Sequence, residues 1–250
     1  MLKERKMQQT LVLIKPDALL YSLTGFIIER VSAVLNPVIA AAKVVRVTRE
    51  LAEAHYANIQ GKPFFEATIK YIMGELHYPT QPEKRRVVAI TYEAPGIVQG
   101  IKEYFGPTKP RDCKILAKTE GIITLRSQLS YTDYSVDQEE LIDNAVHASG
   151  NPQEAEREIK LWFEPGEFPF QHRLFPYQES REHFYILPDP LAEQGIKITS
   201  SYVEGSKCII APGNLVWKSD YQDLVEYRNG DRNPSQPLKS IIAKYALKTI

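Results

Sequence analysis

The chain has 250 residues, of which 43% are hydrophobic and 25% charged, with 31 Lys+Arg balancing 31 Asp+Glu. That composition fits a soluble globular protein, and the length fits one large domain or one domain with a substantial extension. A formal net charge of zero excludes a broad electrostatic grip on nucleic acid, which needs a basic excess on one face, but not a small phosphate pocket. The two cysteines, Cys113 and Cys208, lie far apart with no partner motif, so neither a disulfide framework nor a zinc site is signalled. The longest early apolar run, Leu11 to Ile14, is too short for a signal-peptide core or a membrane span. A reduced, cytoplasmic protein is expected.

After a polar, basic lead, Thr10 to Ile14 reads as a buried strand ending at Lys15-Pro16-Asp17-Ala18. Lys15, stopping the strand beside a proline, is placed to point into a site at the sheet edge. Gly25 to Leu35 is an amphipathic helix with Ile27, Ile28, Val31 and Val34 on its buried side, and Ala41 to Val47 a second strand. Arg49 to Tyr56 is helical, and a turn at Gln60–Pro63 leads to a helix over 64–73. Phe64 and Phe65 point about 100° apart on a helix, so one can enter the core while the other is left on a cleft, although taken alone both read as core. The polar stretch 74–86 is a loop, Val87 to Tyr92 a third strand, and Ala94 to Phe105 a helix. Gly106 to Arg111 cannot be helical throughout and offers a hydroxyl, Thr108, with two cations. Arg126 follows a β-like run over 121–125, and residues 131–141 form a polar, acidic loop.

Next comes Asn144-Ala145-Val146-His147-Ala148-Ser149-Gly150 and a helical run over 151–163. Ile159, Trp162 and Phe163 make one apolar stripe of that helix, and Glu154, Glu156 and Glu158 make its first turns acidic. Ser149 reads as a turn or helix N-cap residue, and backbone N–H groups at the helix start are placed to hold phosphate oxygens near His147. An imidazole with an ordinary pKa near ~6.5 is a neutral nucleophile at cell pH. Beyond Phe163 the chain becomes proline- and aromatic-rich, then carries short β-like pieces over 183–217 and a final helix near 238–247.

Together these blocks resemble the nucleoside diphosphate kinase family. The matching residues are Thr10–Asp17, His55-Tyr56, Lys62-Pro63-Phe64-Phe65, Asn144 with His147 and Ser149, and Ala155–Phe163, spread over about residues 8–168. The resemblance implies a ferredoxin-like α/β sandwich, a four-stranded antiparallel sheet covered by helices. It also implies transfer of a terminal phosphoryl group from a nucleoside triphosphate to a nucleoside diphosphate through a phosphohistidine. Carried over by position, His147 is the nucleophile, oriented by Glu158 with Ser149. Lys15 and Asn144 contact sugar and phosphates, Tyr56 flanks the histidine, and Phe64 stacks on the base. Thr108, Arg126 and Lys102 hold phosphate oxygens, and Mg²⁺ is held mainly by the nucleotide. Partners are nucleoside di- and triphosphates, and a homo-oligomer of unstated size is expected.

Such roles suit the chemistry: a covalent intermediate lets one pocket serve donor and acceptor in turn, and phosphoryl transfer needs positioning and charge stabilisation. The string G-x-x-x-x-G-K-[ST] is absent, so a P-loop route is closed. Some positions depart from the family. Lys102 stands where an arginine is usual, losing the bidentate fork. Ala148 replaces a glycine and Gly150 an acidic residue. Segments 74–86, 113–124 and 130–143 are longer than expected, and residues 169–250 form an extension after a catalytic domain of 1–168. The alternative to an enzyme is a weakly active or inactive nucleotide-binding relative that acts as a scaffold through this tail.

Overall fold

A computed structural model describes residues 6–129, 143–186, 207–230 and 234–245. By its internal contacts the chain divides into two compact units, Met1–Ile159 and Lys160–Ile250. The loop expected over 131–141, and most of the insertion containing it, lie outside the described residues.

In the first unit, β1 (Met7–Ile14) and α1 (Pro16–Leu20) are followed by α2 (Thr24–Leu35), β2 (Val38–Val45), α3 (Arg49–His55) and α4 (Phe65–Ile72). Then come β3 (Val87–Pro95), α5 (Ile97–Phe105), α6 (Pro110–Glu120), β4 (Val146–Ala148) and α7 (Pro152–Trp162). All sheet pairings are antiparallel and the strand order is β2-β3-β1-β4, the ferredoxin-like order. Strand β1 is central because its apolar residues occupy both faces. Val12 and Ile14 pack with Ile27, Val31, Ile101 and Phe105 of α2 and α5. On the opposite face Leu11 and Leu13 are fully buried. No helix among the described residues is long and apolar enough to cross a membrane.

Several local expectations need correction. Val34 is 54% exposed, so the buried stripe of α2 is Ile27 and Val31. Phe64 and Phe65 are not core: Phe64 is exposed and Phe65 half-buried, because Ile69, Tyr71 and Ile72 supply the buried face of α4. Strand β3 continues through Ala94 to Pro95, and Gly96 at φ +70° makes the turn into α5. The run 121–125 is not a strand. It follows α6, which starts with Pro110 in its first turn and ends at Gly121 in the left-handed region. Proline at the start and glycine past the end are the ordinary signals of helix boundaries.

The second unit has its own core. Strands β5 (Tyr177–Glu179) and β8 (Leu215–Trp217) pair, as do β6 (Phe184–Ile186) and β7 (Lys207–Ile210). Helices α8 (Lys218–Asn229) and α9 (Leu238–Tyr245) complete it. Phe184, Ile210, Val216, Leu224 and Ile241 form the apolar centre. Trp217 packs edge-on against Phe168 and Phe175, and its Nε1 donates to the Phe163 carbonyl at 2.6 Å. The tail's aromatics therefore divide: Trp217 and Phe184 are buried, while Phe170 is 75% exposed. Beneath them Asp220 forms an ion pair with Lys244 and accepts from the Tyr245 hydroxyl at 2.7 Å. A buried charge pair of this kind is tolerated only with its remaining hydrogen-bonding capacity met.

Candidate active site

His147 sits in mid-strand rather than before a helix. β4 pairs with β1 so that His147 lies opposite Leu13, and alternation sends Val146 to the core and the imidazole to the other face. Ser149 is not the cap of α7. Its Oγ accepts from the Leu11 amide at 3.3 Å and donates to Glu158 Oε2 at 2.7 Å. Asn151 takes the capping role, its Oδ1 accepting from the Glu154 amide at 2.8 Å. The Gly150 amide donates to the Glu154 carboxylate at 3.0 Å. The Gly150 and Glu154 amides are thus satisfied internally, which takes two donors from the expected anion cradle there.

The imidazole is backed by a carboxylate. His147 Nε2 and Glu158 Oε2 are 2.9 Å apart, while Arg157 reaches Glu158 Oε1 at 3.5 Å. Burial alone would raise the Glu158 pKa. The charge and hydrogen bond of His147, with smaller contributions from His55 and Ser149, outweigh it and hold the carboxyl down at about 2. Glu158 is therefore ionised, and an ionised carboxylate at Nε2 draws the proton to that nitrogen and leaves the lone pair on Nδ1. His55 packs edge-on against His147, with ring centroids 4.5 Å apart. Burial, then the adjacent His147, pushes the His55 pKa down to about 3, so it stays neutral. Arg157 fixes α3 against α7 by donating to the carbonyls of Ala54 and His55 at that helix's C-terminal end.

In front of His147 lies a cleft of ≈ 550 Å³, lined among others by Lys15, Tyr56, Lys102, Thr108, Arg126 and Asn144. Lys15 Nζ donates to Asn144 Oδ1 at 2.7 Å and lies over the Tyr71 ring. Burial lowers its pKa to about 8, despite the favourable charge of Asp17. Asn144 also donates from Nδ2 to the Thr108 carbonyl at 3.1 Å. Arg126 donates to the carbonyls of Asn144, Gly106, Pro107 and Val146, stapling the cleft's two walls together. Gly106, at φ +77°, permits this close approach, since a Cβ there would sit 2.7 Å from Thr124. Lys102 Nζ donates to the Gly150 carbonyl at 3.2 Å. Burial raises the Tyr56 phenol. The structure thus places Lys15, Tyr56, Lys102, Thr108, Arg126, Asn144 and His147 around one cleft, with Ser149 and Glu158 buried behind His147, whereas Phe64 is 42% exposed and lies outside the cleft lining.

Sequence reasoning missed three supporting residues. Ala145 holds φ +63°, a left-handed conformation costing a non-glycine residue roughly 1–2 kcal/mol. Its amide donates to Asp17 Oδ2 at 2.8 Å, and its carbonyl accepts from the Lys15 amide at 2.8 Å. The Asn144 amide donates to the Tyr71 hydroxyl at 3.3 Å. Asp17, Tyr71 and His55 thus pin the turn and the ring on which His147 depends. Asp17 and His55 lay within motifs already singled out, but nothing local marked them as supports.

A strand-borne imidazole, polarised from behind by an ionised carboxylate and facing a cation-rich cleft, defines a phosphotransferase that works through histidine. Comparison with known proteins gives the family. Residues 8–168 match the family model described as nucleoside diphosphate kinase. A nucleoside diphosphate kinase of Pyrococcus furiosus is 36% identical over 180 residues, covering 72% of this chain and 94% of that protein. One of Thermococcus kodakarensis is 34% identical, covering 73% and 88%. Among solved structures, the nucleoside diphosphate kinase of Borrelia burgdorferi, a transition-state mimic with bound vanadate and ADP, is 27% identical with a TM-score of 0.52. That similarity covers 65% of this chain and 90% of that one. The chain belongs to the nucleoside diphosphate kinase family.

Proposed function

We infer that this protein transfers the terminal phosphoryl group of a nucleoside triphosphate to a nucleoside diphosphate, through a phosphohistidine on His147. The observation that carries the reading is the pairing of His147 with Glu158 at 2.9 Å beneath a cleft containing Lys15 and Arg126. His147 Nδ1 attacks the terminal phosphorus, the new N–P bond forms, and the bond to the leaving diphosphate oxygen breaks. In the second half-reaction an oxygen of the acceptor's terminal phosphate displaces the imidazole, giving a ping-pong course. Glu158 keeps the proton on Nε2 and stabilises the positive charge that develops on the ring, and Ser149 fixes the carboxylate by donating to it.

Lys15, Lys102, Thr108 and Asn144 hold the phosphates and sugar, and Arg126 keeps their walls in register while adding positive charge. Tyr56 flanks the nucleophile. Phe64 is the aromatic platform for the base, and such a platform accepts any base because each has a π-face. Mg²⁺ is part of the nucleotide substrate. The metal-capable group among the described residues, His55, His147 and Glu158, offers two nitrogens and one carboxylate, which does not suit a hard cation that prefers six oxygens. Residues 1–168 are the catalytic domain and 169–250 an extension to it, and the protein works as a homo-oligomer. The free thiols Cys113 and Cys208 support a reducing, cytoplasmic setting. Retention of nucleophile, orienting carboxylate and phosphate-binding residues together favours the enzyme over an inactive scaffold.

Incubation with γ-labelled ATP and Mg²⁺, quenched at alkaline pH, should label wild type and not His147→Ala. Added GDP should remove the label as GTP. A folded, nucleotide-binding wild type that takes no label overturns the reading.

A further inference from the structure

Behind the nucleophile, His55, His147 and Glu158 each offer one ligand atom, and all three atoms lie within 4.8 Å of one another. Among the described residues it is the one such group of three His, Cys, Asp or Glu side chains. Two imidazoles and one carboxylate are a zinc donor set that leaves a fourth position open. We propose that this cluster binds Zn²⁺, and that the bound ion reversibly switches off His147.

The geometry is close to that of a metal site. Tetrahedral bonds of ~2.0–2.1 Å place ligand atoms about 3.3 Å apart. Here His147 Nε2 lies 2.9 Å from Glu158 Oε2, while the His55 Nδ1 distance of 3.9 Å is to the carboxylate's other oxygen, Oε1. The three ligand atoms spread to within 4.8 Å, so side-chain movements on the order of 1–2 Å close the set. His55 and Glu158 are buried, whereas the His147 side chain is 20% exposed and lines the cleft, so the ion enters there. Around the ligands, Ser149 donates to Glu158 and Arg157 stands 3.5 Å from its other oxygen, both able to hold the carboxylate in place. Mg²⁺ is not retained because it prefers oxygen and near-octahedral geometry, whereas Zn²⁺ accepts imidazole nitrogen in a tetrahedron.

Binding takes the Nε2 lone pair that is exposed when the ring's one proton shifts to Nδ1, so His147 coordinates as a neutral imidazole and no proton is lost from it. The ion withdraws electron density from the ring and occupies the carboxylate that would stabilise the charged phosphohistidine. Nδ1 then carries a proton in place of its lone pair and cannot attack phosphorus, although the cleft remains open to nucleotide. The inhibition rests on His147 being the phosphoryl acceptor, while the binding does not.

The test is calorimetric titration of tag-free protein with Zn²⁺, alongside His55→Gln and His147→Asn variants whose folding is checked by circular dichroism. Phosphorylation by γ-labelled ATP and Mg²⁺ is read in parallel, with and without Zn²⁺. Wild type should bind one equivalent, lose labelling in step with occupancy, and recover with EDTA. Each variant should bind at least roughly tenfold more weakly, since disturbing even a supporting residue of a ligand costs about that much. Absence of zinc uptake by wild type, or an affinity in either variant equal to that of wild type, overturns the site, and binding without loss of labelling overturns the switch. If zinc-free wild type takes no label, the kinase reading fails on its own, and the stoichiometry still judges the metal site.

Discussion

Replacing Glu158 by glutamine removes the charge behind His147 while keeping a side chain that can accept from Nε2–H. In the wild type the carboxylate oxygen is 2.9 Å from Nε2, and a second hydrogen bond comes from Ser149 at 2.7 Å. When the phosphoryl group arrives, the imidazole becomes cationic. Unit charges about 4 Å apart at an effective dielectric near ~20 attract by about 4 kcal/mol. The glutamine oxygen retains part of that attraction as a hydrogen bond, which leaves a net loss of about 2–4 kcal/mol in the transition state. At ~1.4 kcal/mol per decade this is about 30- to 1000-fold in the rate of His147 phosphorylation. Single-turnover quenched-flow labelling with γ-labelled ATP measures that rate, and calorimetry measures nucleotide affinity on the same samples. Affinity should stay within about threefold, because the carboxylate lies behind the ring rather than against the phosphates. A labelling rate within about threefold of wild type would refute the electrostatic account, and so would a defect residing entirely in nucleotide binding.

Lys15 is charged below its pKa of about 8 and loses that charge as pH rises through it. The ratio kcat/KM should therefore fall above about pH 8, and Lys15→Arg should shift this alkaline limb upward; an unchanged limb would assign it to another group. Asp17→Ala leaves the buried amide of the strained Ala145 without its acceptor, at a cost of about 1–3 kcal/mol. Thermal melts should show the loss, and kcat should fall with it as Asn144 and His147 shift. Lys102→Arg restores a planar fork beside the Gly150 carbonyl and should lower KM for nucleotide without changing the rate of phosphorylation. In the second unit, Asp220→Ala strands the buried Lys244 ammonium and should destabilise that unit by about 3–5 kcal/mol, read by hydrogen exchange in α8 and α9.

The fold was legible where burial is uniform and illegible where it is shared. Continuous apolar runs at Leu11–Ile14 and Val87–Tyr92 announce strands because the central strands are covered on both faces. Helix α8 (KSDYQDLVEYRN) carries no such stripe. Its buried residues include Asp220 and Asp223, whose partners come from the polar residues Ser235 and Gln236 and from the distant Lys244 and Tyr245. A helix that buries carboxylates shows no apolar stripe by which the sequence could mark it. The same limit made Phe64 and Phe65 look like core, since hydrophobicity marks what can be buried and not what finds a partner.

At the site the motifs singled out the residues proposed to react, but the strand carrying His147 spans three residues and is too short to show alternation. Proximity to the helix start suggested that main-chain amides serve a phosphate. Asn151 and Glu154 instead occupy those amides, and the positive potential of the cleft comes from Lys15, Arg126 and Lys102, supplied by β1's end, the segment after α6 and helix α5. This difference has a mechanistic consequence. Amides at a helix terminus are fixed donors that do not titrate, whereas Lys15 titrates at about 8. Phosphate binding here should therefore depend on pH in the alkaline range. A cleft that relied on helix amides would keep its affinity there.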